Sequence, residues 1–127
     1  MSPLLKREGR HERGQFLSNE RHYKAMIKRA LRKVRHDHTH LKPGVVGDQF
    51  FGSPQVDPSY LTIYLFFRDD AALREAEQKG YLQLLHGAVI HALREECYPQ
   101  QSLTSVKIEF ASKQSVKATG GIWNYFR

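Results

Sequence analysis

The sequence predicts an α+β fold in a single domain, with two main helices packed on one face of a small antiparallel sheet. Three observations carry this expectation. Apolar residues recur at three- and four-residue spacing over residues 23–34 and again over 82–97, the period of a helix with one buried side. They alternate at period two over residues 60–67 and 106–110, as in strands with one face on a core. The length of 127 residues is that of one domain with a core of its own. Helices gathered on one face of an antiparallel sheet is the packing such elements favour, in the order α-β-β-α-β-β.

Residues 1–17 are polar and charged, interrupted by Pro3, Gly9 and Gly14, and show no hydrophobic period. They read as a flexible basic N-terminal arm, leaving residues 18–127 as the domain. A helix follows over residues 19–35. Ser18 or Asn19 is placed to cap its first turn, Glu20 lies near the positive end of its dipole, and Arg32, Lys33 and Arg35 lie near the negative end. Tyr23, Met26, Ile27, Ala30, Leu31 and Val34 form its apolar stripe.

Pro43–Gly44 and the run Gly52-Ser53-Pro54 mark turns on either side of a short strand over residues 45–51. The next strand, residues 60–67, sends Leu61, Ile63, Leu65 and Phe67 to the core and Tyr60, Thr62, Tyr64 and Phe66 to the other face. That second face is rich enough in aromatic rings to call for cover by a loop or another molecule. Asp69 or Asp70 caps a helical stretch with Leu73 and Ala76 inward, and Gly80 breaks it. A more apolar helix then runs over residues 81–97, with Leu82, Leu85, Val89, Leu93 and Cys97 as its core stripe and Pro99 closing it. Residues 104–110 alternate as a strand with Val106, Ile108 and Phe110 inward. Gly120–Gly121 turns the chain into a last short strand over residues 122–126.

The net charge of +7 is unevenly distributed. Residues 1–43 hold twelve Lys and Arg against four acids, whereas the remaining 84 residues hold eight against nine. The basicity is therefore a local device on a nearly neutral body, and it points to a polyanionic partner: nucleic acid, an acidic protein surface, or anionic lipid. One cysteine, Cys97, excludes an internal disulfide framework and favours a reducing compartment. No run approaches the ~20 apolar residues of a membrane span, and the first residues lack the apolar segment of a secretory signal. The expected location is the cytoplasm.

Three groups of residues are candidates for function. Arg21, Lys24, Lys28, Arg29, Arg32, Lys33 and Arg35 form the polar side of the first helix, where each cation that neutralises a phosphate adds salt-dependent affinity. His36, His38 and His40 would point one way from an extended segment and could take Zn or another transition metal. The alternative is a polar connector whose imidazoles complement the helix C-terminus. Tyr60, Tyr64 and Phe66, with Trp123 and Tyr125 near the chain end, could stack bases or dock a protein. Against this, the same rings could simply finish the core.

The remaining residues offer no catalytic constellation. His86 and His91 lie about 140° apart on their helix and do not suit one metal, and Cys97 reads as a small core residue. Glu95–Glu96 sits against the dipole preference at a helix C-terminus, which suits partners on the basic helix. No GxGxxG, GxxxxGK[ST] or GxSxG string occurs.

The sequence thus predicts a small non-catalytic binding protein, with no cofactor, that contacts nucleic acid through backbone-type contacts. One alternative is a protein-interaction module (an adaptor, regulatory, assembly or immunity protein) for an acidic surface. Another is a metal-dependent hydrolase or nuclease built on the three histidines.

Overall fold

The computed structural model describes residues 2–121, those from 2 to 19 by backbone alone. The first helix, α1 (Ser2–Asp37), is continuous through the stretch expected as an arm and onward to the histidines. Its Lys, Arg, Glu, Gln and Leu residues are all good helix formers, so no capped start is needed at Ser18 or Asn19. The stripe expected of it is buried, with Met26, Ile27, Ala30, Leu31 and Val34 all in the core and Tyr23 packed against them.

The chain then forms β1 (Gly47–Gly52) and β2 (Leu61–Phe67), an antiparallel pair in which Phe50 lies opposite Ile63. Gly52 closes this pair at φ +129, where an added Cβ would fall 1.9 Å from the Tyr60 carbonyl oxygen. Only glycine fits there. The period-two reading of β2 holds on its core side, since Leu61, Ile63, Leu65 and Phe67 are all buried.

Helix α2 (Asp70–Gln78) starts at Asp69, whose carboxylate accepts the Ala72 N–H at 2.8 Å. This bond holds the Asp69 pKa below the usual carboxylate range. Ala72 and Ala76 are buried, and Leu73 packs at the edge of the core. Gly80, at φ +78, separates α2 from α3 (Tyr81–Glu95), which buries Leu85, Val89, Ala92 and Leu93.

Cys97 is not a core residue. Helix α3 ends two residues earlier, and Cys97 is exposed in the left-handed conformation at φ 66. The Tyr98 N–H reaches the Leu93 carbonyl at 3.0 Å, and the Cys97 N–H reaches that of Arg94 at 3.0 Å. Those two bonds define a Schellman ending, in which the residue after the cap must turn left-handed. Tyr98 takes the buried place instead. Its ring meets Tyr23 edge-on at 5.7 Å and its hydroxyl donates to the Pro58 carbonyl, while burial pushes its pKa up.

A 3-10 turn (Gln100–Ser105) precedes β3 (Lys107–Ser112), so the third strand begins later than its alternation suggests. It pairs with β2 in parallel, Ile108 lying opposite Ile63, and the strand order is β1-β2-β3. The sheet is therefore mixed rather than wholly antiparallel. Alternation assigns the faces of a strand but not its direction, and here residues 68–106 form the long crossover that a parallel pair requires.

Helix α4 (Lys113–Ala118), which the sequence reading does not include, follows at once. Its cap Ser112 accepts the Ser115 N–H at 3.0 Å. The Ser112 hydroxyl, one of the most buried polar groups, also donates to Asp70, as does that of Ser115 at 2.7 Å. These bonds tie α4 to the start of α2 and lower the Asp70 pKa. The strand expected at residues 122–126 lies outside the described residues, with Trp123 and Tyr125.

Residues from α1, α2, α3 and the inner side of the sheet share one core. Helices α1 and α3 pack on each other, which leaves the polar side of α1 at the surface. No helix among the described residues is long and apolar enough to cross a membrane.

Candidate functional site

All seven expected cations of α1 are exposed, but they do not form one uniform face. Arg29 and Lys33 lean towards α3, where Arg29 Nε meets Glu96 at 2.6 Å and Lys33 Nζ meets Glu95 at 2.5 Å. The bond to Glu95 raises the Lys33 pKa and, reciprocally, lowers that of Glu95. The acids at the end of α3, placed against its dipole, are thus accounted for by the basic helix beside them.

The other five cations, Arg21, Lys24, Lys28, Arg32 and Arg35, fall within a sector of about 80° at ~100° per residue. They form a row about 21 Å long at ~1.5 Å per residue. Lys24 pairs with Glu20 at 3.0 Å, one turn away, and Arg35 reaches Asp48 of β1 at 3.2 Å. Among the described residues, Arg21, Lys28 and Arg32 have no ion pair.

The C-terminal half of this row borders a groove of about 680 Å³ between α1 and the segment leading into β1. Lys28, Arg32, Arg35 and Lys42 line it, with Asp48 as the one carboxylate. Below these charges lie Leu31, Val34 and Leu41, and Val45 and Val46 form the far wall. Val46 is 40% exposed.

The far wall is held at several points. The His38 Nδ1–H donates to the Val34 carbonyl at 2.6 Å, and the Leu41 N–H to that of His38 at 3.2 Å. Lys79 donates to the Lys42 carbonyl at 2.7 Å, and the Val46 N–H to that of Phe66 at 2.8 Å. Buried Leu41 pins the middle. These contacts tie the segment to α1, α2 and β2.

The histidines do not lie in the extended segment that their two-residue spacing suggests. His36 is in the last turn of α1, and His38 and His40 follow in a turn. His36 contacts Asp37 at 3.3 Å, and the rings of His38 and His40 stack at 6.1 Å. Among the described residues no three His, Cys, Asp or Glu side chains are gathered as a metal site. On α3, His91 pairs with Glu95 at 2.7 Å.

Of the aromatic candidates, Tyr60 is exposed, Tyr64 half-buried and Phe66 buried beside Lys113 and Val116 of α4. Tyr64 stacks on Phe66 at 6.2 Å and meets Phe51 edge-on at 6.1 Å. The outer face is thus a packed ring cluster at the α4 end. Among the described residues no buried side-chain nitrogen or oxygen lacks a hydrogen-bond partner.

No family model matches the chain, nor does any curated protein or solved structure. The site is therefore read from its own residues.

The cations are legible in the sequence, whereas the groove is not. Its walls come from residues 28–48 together with Leu65 and Leu85, and no local period marks that meeting. The charge pattern does hold one signal: Asp48 and Lys42 flank an apolar Val45–Val46 pair directly after a basic helix.

Proposed function

We propose that this chain is a small non-catalytic binding protein that holds nucleic acid by its phosphate backbone, working in the cytoplasm. The observation that carries the reading is the row from Arg21 to Arg35, in which Arg21, Lys28 and Arg32 are exposed and have no ion pair among the described residues. Cations already matched by carboxylates gain little from a phosphate, whereas unmatched ones in a row release counterions from a polyanion at each contact. Because the row sits on a helix whose opposite side is core, the charges are held in register. Backbone contact of this kind positions a strand without reading its sequence.

The test is binding of labelled oligonucleotides by fluorescence anisotropy over a range of salt. Three phosphate contacts predict a slope of about −2.1 in log K against log salt for single strands, at ~0.7 per contact. Lys28→Glu with Arg32→Glu should abolish binding and leave the melting temperature unchanged, since both side chains project into solvent. Normal binding by that double variant would remove the α1 row from the interface. Competition separates nucleic acid from an acidic protein surface: displacement of a bound partner by unrelated RNA or DNA supports the first, and indifference to it the second.

A further inference from the structure

We infer that the groove beside the cationic row receives a base from an unpaired strand, so that the protein prefers single-stranded nucleic acid to duplex. This rests on the backbone reading above and adds to it a second kind of contact.

The row and the groove differ in chemistry. From Arg21 to Lys24 the surface beside the cations is the outside of a helix. From Lys28 onward the cations border a recess whose floor and far wall are aliphatic, closed by Val45 and the exposed Val46. A ligand that carries one charge per repeat along its length and can turn the apolar face of a flat ring sideways matches both parts. A nucleic-acid strand has that form when its bases are unpaired, and loses it in a duplex, where the rings are stacked inside. A recess of about 680 Å³ lies within the range of ~300–1,000 Å³ typical of small-ligand sites.

Its charge balance points the same way. Lys28, Arg32, Arg35 and Lys42 face one carboxylate, Asp48, which is occupied with Arg35 at 3.2 Å. A phosphate next to the inserted base would compete with Asp48 for the Arg35 guanidinium, which suits paired oxygens in a plane. Asp48 therefore restrains binding.

Three probes of the same length separate the contacts: a single strand, its duplex, and an abasic single strand that keeps the phosphates without the rings. The wild-type chain should bind the single strand more tightly than the duplex, whose rings are stacked inside; equal or tighter duplex binding would overturn the inference. It should bind the single strand on the order of tenfold tighter than the abasic strand, the gain from covering the faces of one ring. Thr39 is an exposed residue of the groove lining, and Thr39→Trp, which adds bulk there without altering a charge, should erase that difference and leave abasic binding unchanged. Val46→Ser should reduce it without adding bulk, and serves if the tryptophan variant does not fold. Asp48→Asn should tighten all single strands by roughly threefold, by freeing Arg35.

Equal, salt-dependent binding of the single strand and the abasic strand would overturn the groove inference and leave the backbone reading standing. Binding of no oligonucleotide would overturn both. Tighter binding of an acidic peptide carrying aliphatic residues than of any oligonucleotide would assign the groove to a protein segment instead, and would also overturn both.

Discussion

Cys97 shows how a single position can follow a pattern and still leave the core. It continues the spacing of Leu85, Val89 and Leu93, but α3 has already ended at Glu95, and the Schellman bonds require a left-handed residue there. A non-glycine residue in that conformation costs roughly 1–2 kcal/mol. Cys97→Gly should therefore stabilise the protein by about 0.5–1 kcal/mol, once the greater freedom of glycine in the unfolded chain is offset. Cys97→Ala keeps the Cβ and should change little. Urea unfolding of both variants checks this, and a loss of stability in the glycine variant would contradict the strain. The buried residue that replaces Cys97 is Tyr98, whose hydroxyl reaches the loop between β1 and β2. Nothing in its immediate sequence marks it, because the position where α3 stops decides which side chain turns inward.

At the scale of elements, helix stripes and strand faces were legible because each is a local consequence of one buried side. The stripe of α1, the Leu85, Val89 and Leu93 stretch of α3 and the core side of β2 lie where their periods place them, whereas Cys97 does not. The direction of β3, the position of α4 and the groove were not legible, since each depends on where a distant segment returns. Within α3 the reading is sharp enough to test. Leu85 is 1% exposed and touches both the core and the base of the groove, whereas Leu84 beside it is 45% exposed. Leu85→Ala should cost on the order of 2–5 kcal/mol, and Leu84→Ala should stay within about 0.5 kcal/mol of the parent. Similar melting curves for the two variants would place the wrong stripe inside. Helix α1 carries two patterns at once, an apolar side for the core and a cationic side that is itself divided. Arg29 and Lys33 pair with Glu96 and Glu95 of α3, whereas Arg21, Lys28 and Arg32 have no ion pair among the described residues.

For the molecule as a whole, three carboxylates with lowered pKa values shape the response to acid. Asp69 is held low by the α2 N–H it accepts, Asp70 by the hydroxyls of Ser112 and Ser115, and Glu95 by Lys33. Together these carboxylates cap α2, join α2 to α4 and join α3 to α1. Because their folded-state pKa values lie below those of the unfolded chain, the unfolded state binds more protons as the pH falls. Their contribution is complete above the ordinary carboxylate range of about 4 and is lost as pH falls through the lower folded-state values. Protonation also raises a net charge that already stands at +7 at pH 7, so self-repulsion adds in the same direction. The melting temperature should fall steeply below about pH 5 as carboxylates of ordinary pKa ~4 protonate. Asp70→Asn with Glu95→Gln should lower the melting temperature at neutral pH and flatten the acid limb, since the variant no longer has those protons to bind. An acid limb as steep as that of the parent would mean that other carboxylates carry the acid response. High salt provides the control, because it screens the general repulsion and leaves the Asp70 hydrogen bonds to Ser112 and Ser115 in place.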